Sequence, residues 1–310
     1  MKKLLCIAAM LLPMCSLMAQ NSLIYKAQVK FDEGKMDEAW AAIEPALTSG
    51  KTKNLAGAYN FAGVIQGKIL SAEITKAAQK QPLDTMKFIN ALDKSVEYFE
   101  KSYKLDNAPN EKGKIKPKYN NNAEAPFQSN TKMISQMMNY YAYAGQFLNA
   151  NGNQKGAYDA FEKFIEMPKS SVFTKQQADS IYKANANEYY TVAFYAALLG
   201  YQIKDYDRAL KHIDFALQDT AQKNKNDLYF IKAQSLLQKK DTAAWVKCAT
   251  EAITALPNNT QFVQNLLYYY NIKHLDNEAV ATAKDLVAKA NNNKNAWYSA
   301  GCIYRNQTKD

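Results

Sequence analysis

Histidine, cysteine, glycine and proline are all scarce in this chain of 310 residues. Its two histidines, His212 and His274, stand far apart, and of its four cysteines Cys6 and Cys15 fall within the first nineteen residues. Zinc centres need several His or Cys at tight spacing, and neither H-E-x-x-H nor C-x-x-C occurs, so no metal site is expected. A lone histidine at such places reads as a surface or boundary residue. Cys248 and Cys302 cannot build a disulfide framework by themselves and are expected as buried or partly buried thiols within helices. With 11 glycines and 8 prolines and no long β-branched run, the chain offers helix formers far more often than strand or turn signals. Acidic residues recur about once per helical turn on polar faces, which leaves no converging pair for acid–base chemistry. The stretch "GVIQGKI" (63–69) is one residue short of a phosphate loop, lacks its Ser or Thr, and follows no strand. No enzymatic activity and no cofactor are therefore expected.

The first residues have a different character. Lys2 and Lys3 precede an apolar run from Leu4 to Met18, interrupted by Pro13 and Ser16, and Ala19 supplies a small residue before Gln20. This is the pattern of a cleavable export signal over 1–19, and the run is too short to span a bilayer comfortably. Lipid anchoring through Cys15 is disfavoured, because Pro13 and Met14 stand where that processing site favours small residues. The expectation is an exported, periplasmic chain with no transmembrane segment after cleavage. Net charge is +10 and drops to +8 without Lys2 and Lys3. The densest basic block, "NEKGKIKPKYNNN" (110–122), alternates lysines at 112, 114, 116 and 118. It reads as a solvated loop or, alternatively, as a patch for anionic partners. Nucleic acid is not an expected partner for an exported protein.

Self-similarity appears at a lag of thirty-four residues. Ala233, Leu267 and Gly301 align, as do Leu236, Tyr270 and Tyr304. Trp297-x2-Ala300-Gly301-x2-Tyr304 resembles the opening of a tetratricopeptide repeat, W-x2-L-G-x2-Y, with Ala for Leu. The second half of such a repeat is matched by Ala209, Ile213 and Ala216, by Ala157, Phe161 and Pro168, and by Ala39, Ile43 and Ala46. It is matched more loosely by Ala249, Ala252 and Pro257, where Trp245 takes a position usually held by Ala. Pro45 is expected to distort its helix. Small residues let paired helices approach closely while large ones fill the gap to the next pair. The resemblance implies an all-α, right-handed α-solenoid of antiparallel helix pairs. Its expected layout is two repeats over 20–107, the second with an insertion at 68–84 that lengthens both helices. A polar basic loop follows over 108–130, and then four repeats plus a half repeat over 131–310. In this layout 175–219 is one repeat with a lengthened first helix. The terminal half repeat would leave Trp297, Ile303 and Tyr304 exposed, so either a further segment or another chain is expected to cover them.

The same resemblance implies a concave groove lined by the second, fifth, ninth, twelfth and thirteenth residues of each first helix. These positions are Asn139, Gln146 and Asn149, then Thr191, Phe194, Tyr201 and Gln202, then Asp227, Phe230, Gln234 and Gln238. Gln261, Gln264, Tyr268 and Asn271 follow, and Asn295, Tyr298 and Arg305 complete the set. Of these, Gln146, Asn149, Tyr201, Gln202, Gln234, Gln238, Gln264, Tyr268, Asn271 and Arg305 are the candidate ligand-binding residues. Amides pair with both groups of a peptide backbone, and tyrosine adds broad contact with a polar tip. An exported scaffold or adaptor that holds a peptide or a partner protein is the expected function, with outer-membrane association through that partner. The alternative is a carbohydrate-binding, outer-membrane-associated protein on the same scaffold. Four triplets, at 84–86, 179–181, 219–221 and 241–243, each with Asp before Thr or Ser, resemble an O-glycosylation signal of exported proteins.

Overall fold

The computed structural model describes residues 23–50, 52–110, 112–219, 221, 223–256, 259–289 and 294–307. The expected export signal at 1–19, Thr220, Pro257 and the side chain of Asn295 lie outside the described residues. All regular structure among the described residues is helical, which makes the fold all-α. Helix α1 covers 23–32, α2 Met36–Thr48, α3 Leu55–Ala78, α4 Thr85–Asp106, α5 Asn130–Ala150 and α6 Gln154–Glu166. After a short 3-10 turn come α7 Lys175–Ala184, α8 Ala186–Gln202, α9 Tyr206–Lys211 and α10 Ile213–Ala216. The remainder are α11 Lys225–Gln238, α12 Thr242–Ala255, α13 Gln261–Lys273, α14 Asp276–Lys289 and α15 Lys294–Gln307.

The turns that follow α1, α3, α5, α8, α11 and α13 share one geometry. A residue in the left-handed conformation closes each: Gly34, Lys80, Gly152, Lys204, Lys240 and His274. Its N–H reaches the carbonyl three residues back, and the next N–H reaches five back, as in Lys80 to Ala77 and Gln81 to Lys76. This double bond pattern satisfies the carbonyls that a helix end leaves open. Only two of the six positions hold glycine, so the sequence marks the other four poorly. The following helices then start on side-chain caps: Asp84, Asp205 and Asp241 accept the N–H of Lys87, Arg208 and Ala244. In two of the Asp-Thr triplets the Asp is therefore a helix cap, and Thr85 or Thr242 is the first residue of the helix.

The described residues divide into two compact units, 23–153 with 166–181, and 154–165 with 182–307. In the first, α2, α3 and α4 pack in succession and α5 packs on α4. Helix α3 is central and is buried around most of its circumference, whereas α4 buries one stripe: Phe88, Ala91, Leu92, Ser95, Val96, Phe99 and Ser102. Close approach of the pair is set at Gly63, where an added Cβ would sit 3.0 Å from the Phe99 ring, and Ser95 Oγ donates to the Gly63 carbonyl at 2.8 Å. Pro45 does not break α2. It stands in the last turn, where the lost bond concerns only the carbonyl of solvent-facing Ala41.

The segment 108–130 is less of a free loop than its composition suggests. The buried Asp106 carboxylate accepts the backbone N–H groups of Lys118, Tyr119 and Asn120 at 2.7–3.1 Å. Asn60, fully buried in α3, donates to Gln128 O and Asn130 Oδ1 and accepts from Gln128 N. Asn130 in turn donates to Ser102 Oγ and Asn120 Oδ1. The lysines at 112, 114, 116 and 118 stay exposed on top of this pinned base.

In the second unit α8 packs on α9, α10 and α11, and then α11 on α12, α12 on α13, α13 on α14 and α14 on α15. The seam at Gly200 is the closest: an added Cβ would lie 2.5 Å from the Ala209 nitrogen. Arg208 anchors it through Asp159 at 2.8 Å and Asp205 at 3.1 Å, with its guanidinium 4.7 Å above the Tyr158 ring. The single lengthened first helix expected near 175 is two helices, because the backbone leaves helical values at Asn185 (φ −125°, ψ 30°). The following helix is likewise interrupted at His212 (φ −113°, ψ 2°). His212 is not a boundary residue: it is 3% exposed, with Nε2 3.8 Å from the Glu162 carboxylate. Trp245, where Ala is usual, is buried edge-on against Tyr269 at 5.3 Å. Cys248 is buried and Cys302 half-buried, both as free thiols.

Candidate functional site

The exposed large apolar side chains of the second unit have a one-sided distribution. Among the described residues they are Tyr195, Phe230, Leu237, Tyr268, Ile272, Trp297, Tyr298 and Tyr304. Every one belongs to α8, α11, α13 or α15, the first helix of its pair, and none to α9, α10, α12 or α14. The second helices bury their large side chains in the seams, as Trp245 and Ile253 do on α12. Buried residues of α11, α12, α13, α14 and α15 form one continuous cluster.

The lag of thirty-four aligns these positions along the sequence in rows. Phe230, Gln264 and Tyr298 occupy one row, Gln234, Tyr268 and Cys302 the next, and Leu237, Asn271 and Arg305 the third. Gln238 and Ile272 begin a fourth. Phe230 is 50% exposed, Tyr268 69% and Tyr298 68%. Among the described residues the amides of Gln234, Gln238, Gln264 and Asn271 make no hydrogen bond within the protein, so their donors and acceptors remain available. Tyr201, half-buried, brings its ring to 6.3 Å from both Phe230 and Tyr206, which joins the candidate positions of α8 and α11. Gln202 accepts a bond from Gln154 Nε2 at 3.0 Å, so its carbonyl oxygen is partly engaged. Arg305 is exposed at the end of α15.

Two positions depart from the sequence register. Phe194 is 9% exposed and faces inward, and its neighbour Tyr195, 45% exposed, is the ring that α8 presents outward. A shift of one residue turns a helical side chain by about 100°, enough to exchange wall for core. Ile303, grouped above with Trp297 and Tyr304, is buried at 3% together with Ala300, whereas Trp297, Gly301 and Tyr304 share the exposed face of α15. Gly301 therefore meets nothing within 4 Å and is not at a helix seam in this structure.

In the first unit the candidate residues Gln146 and Asn149 are exposed on α5, as is Asn139. They lie along the helix with Tyr143, 53% exposed, which composition alone did not single out. No helix of the described residues is long and apolar enough to cross a membrane. Burial pushes the Cys248 thiol up to about 12 and so keeps it protonated.

No protein-family model and no curated protein matches the chain. A solved structure described as the assembly chaperone of RpL4 (Acl4), residues 1–338, aligns with 93% of this chain and 96% of its own. The alignment has 12% identity and a TM-score of 0.27, a likeness too slight to bear on what this protein does.

Proposed function

We propose that this protein is an exported, non-catalytic helical repeat scaffold of the tetratricopeptide type that holds a peptide or a segment of a partner protein. Its export signal would deliver it to the periplasm, and any hold on the outer membrane would come through that partner. One observation carries the reading: among the described residues, the exposed large apolar side chains of the second unit all lie on first helices, interleaved with uncommitted amides. Solvated faces have no reason to concentrate aromatics on alternate helices, whereas a binding wall does. Fully burying such a side chain is worth roughly 1.5–3 kcal/mol. Phe230, Tyr268 and Tyr298 are already a third to a half covered, so completing their burial supplies about 1 kcal/mol each.

The six matching left-handed turns support the repeat assignment, because one turn geometry recurs wherever a first helix meets its second. The carbohydrate reading has one observation in its favour. A shallow cleft in the first unit is lined by Asn121, Ser129, Thr131, Ser135, Gln176 and Phe173, a mixture of amides, hydroxyls and one ring that suits a sugar.

Isothermal titration of the protein against a peptide pool and a glycan pool separates the two. Peptide heats that vanish in a Phe230→Ser/Tyr268→Ser double variant support the scaffold reading. Sugar binding without peptide binding would sink it.

A further inference from the structure

The lysine-rich segment of the first unit takes no part in the helical wall, and it is held more firmly than a solvated loop requires. Residues 114–118 double back along 106–110, and the two runs are tied at both ends. At the base the buried Asp106 carboxylate accepts the Lys118 N–H at 2.9 Å, and at the tip Asn110 N donates to Lys114 O at 3.0 Å. Asn110 Oδ1 also accepts the N–H groups of Lys112 and Lys114 at 3.0 Å and 3.1 Å, and Gly113 supplies the left-handed residue that closes the turn (φ 69°). Every residue from 112 to 118 is exposed. The lysines at 112, 114, 116 and 118 therefore stand on a backbone fixed before any partner arrives, which lowers the ordering cost of a contact.

Their charge is uncommitted. Other lysines of this unit reach carboxylates, as Lys35 does on Glu33 at 3.0 Å, Lys76 on Glu73 at 2.7 Å and Lys101 on Glu97 at 2.6 Å. Among the described residues none of the four makes an ion pair. Three acids share the stretch 104–124. Asp106 is buried and its oxygens are taken by backbone N–H groups, Glu124 is exposed, and Glu111 lies outside the described residues. Lys104, exposed on the last turn of α4, brings the lysines of the stretch to five.

Aliphatic side chains stand among these charges. Ile115, between Lys114 and Lys116, is 56% exposed, and Leu105, next to Lys104, is 37% exposed. A highly acidic polypeptide answers the ammonium groups but has nothing apolar to offer Ile115. A bilayer surface answers both, because anionic headgroups meet the lysines while an aliphatic side chain enters the interface beneath them.

We infer that this pinned basic segment is a contact site for an anionic phospholipid surface, with the four lysines on the headgroups and Ile115 inserted between them. The inference goes beyond the scaffold reading and does not depend on it, since it gives the chain a direct membrane hold in addition to any made through a partner.

Co-sedimentation with sucrose-loaded vesicles tests it, using the chain without 1–19, whose apolar run would itself enter a bilayer. Vesicles of equal parts phosphatidylcholine and phosphatidylglycerol should bind at least about tenfold more protein than phosphatidylcholine alone, and less as salt rises from about 50 mM to about 300 mM. A lysine near an anionic surface is worth about fivefold, so the quadruple change of Lys112, Lys114, Lys116 and Lys118 to Gln should weaken binding by at least about fiftyfold. The backbone N–H groups that tie the segment survive that change, so circular dichroism should be unaltered. The same four positions changed to Arg should bind within about threefold of the parent. So should a control with equal loss of charge elsewhere, Lys26, Lys175, Lys183 and Lys273 to Gln. Ile115→Ser should cost about threefold with the lysines intact.

Silence toward the anionic vesicles overturns the inference, as does equal binding to neutral ones. Equal losses in the segment and control variants would make net charge the cause, and loss in both the Gln and Arg variants would make the effect structural; either result refutes the site. Binding to polyglutamate that Ile115→Ser leaves unchanged, without binding to vesicles, would assign the segment to an acidic polypeptide instead.

Discussion

One substitution, glycine to alanine, should have three different outcomes at three helical positions. At Gly200 the new methyl would lie 2.5 Å from the Ala209 nitrogen, 2.8 Å from its Cα and 2.9 Å from the Arg208 carbonyl carbon. Ordinary contact begins at 3.4 Å, and all three neighbours are backbone, so no rotamer change relieves the overlap. Helices α8 and α9 must part by nearly an ångström, which disturbs the Arg208 contacts with Asp159, Asp205 and Tyr158 as well. Overpacking of this kind costs about 3 kcal/mol, against a gain of about 1 kcal/mol from replacing glycine within a helix. The net loss of about 2 kcal/mol corresponds to a fall of roughly 4–8 °C in melting temperature. Gly67 differs because its nearest neighbour is the flexible Met137 Cε at 3.2 Å, so Gly67→Ala should be close to neutral. Gly301 meets nothing within 4 Å, so Gly301→Ala should stabilise α15 by up to about 1 kcal/mol. Proteins open in parts as well as globally, so thermal melts should be paired with hydrogen exchange. The Gly200→Ala loss should be greatest in α8 and α9. If Gly200→Ala melts with the parent, or Gly301→Ala costs more than Gly200→Ala, the seam reasoning is wrong.

The left-handed lysines make the opposite kind of prediction. Lys80→Gly, Lys204→Gly and Lys240→Gly should each stabilise the protein by about 0.5–1 kcal/mol, seen as a higher urea midpoint with an unchanged slope. Asp106→Ala removes the acceptor for three N–H groups beneath the basic segment. It should destabilise the first unit by about 2–3 kcal/mol and release exchange protection at 118–120. The carboxyl of Glu73 is pushed up by burial, but the Lys76 ammonium and the Asp84 N–H outweigh that and hold it below 4.5. The folded form therefore binds fewer protons than the unfolded chain just below pH 4.5. Stability present above that pH is lost as pH falls through the folded value. Glu73→Gln should flatten this acid limb in denaturation curves measured from pH 3 to 6, and an unchanged limb would exclude Glu73 as its source. Of the two helical cysteines, Cys302 should react with a disulfide reagent at pH 8 in the folded protein and Cys248 should not, as peptide mapping will read.

Local chemistry made much of the architecture legible. The alternation of small and large residues marks the helix pairs, because close approach needs a small side chain on at least one partner, and Ala209 stands at such a seam. The candidate wall was also visible where the thirty-four-residue lag is regular. Phe230, Gln234, Gln264, Tyr268 and Asn271 all reach solvent. The lag said nothing useful where the chain departs from it. In α8 a one-residue shift buried Phe194 and exposed Tyr195. At Asn185 and His212 helices break although neither residue is a strong breaker. The turns were hidden for a related reason, since four of six use Lys or His in a conformation for which glycine is the usual mark.

The sequence alone determined the helical class, and the exposure of Phe230, Gln234, Gln264, Tyr268 and Asn271 on α11 and α13, because both follow from periodicity along the chain. Tertiary structure decided whatever depends on residues distant in sequence. The Asp106, Asn60 and Asn130 network turns a lysine-rich loop into a fixed element through bonds spanning up to seventy residues. Gly301 is open while Gly200 is sealed, since only the latter has a helix packed against it. A cleft over Phe88 exists because α3 ends in two alanines opposite three rings of α5. No local pattern encodes the space between elements, which is fixed only when their backbones are brought together.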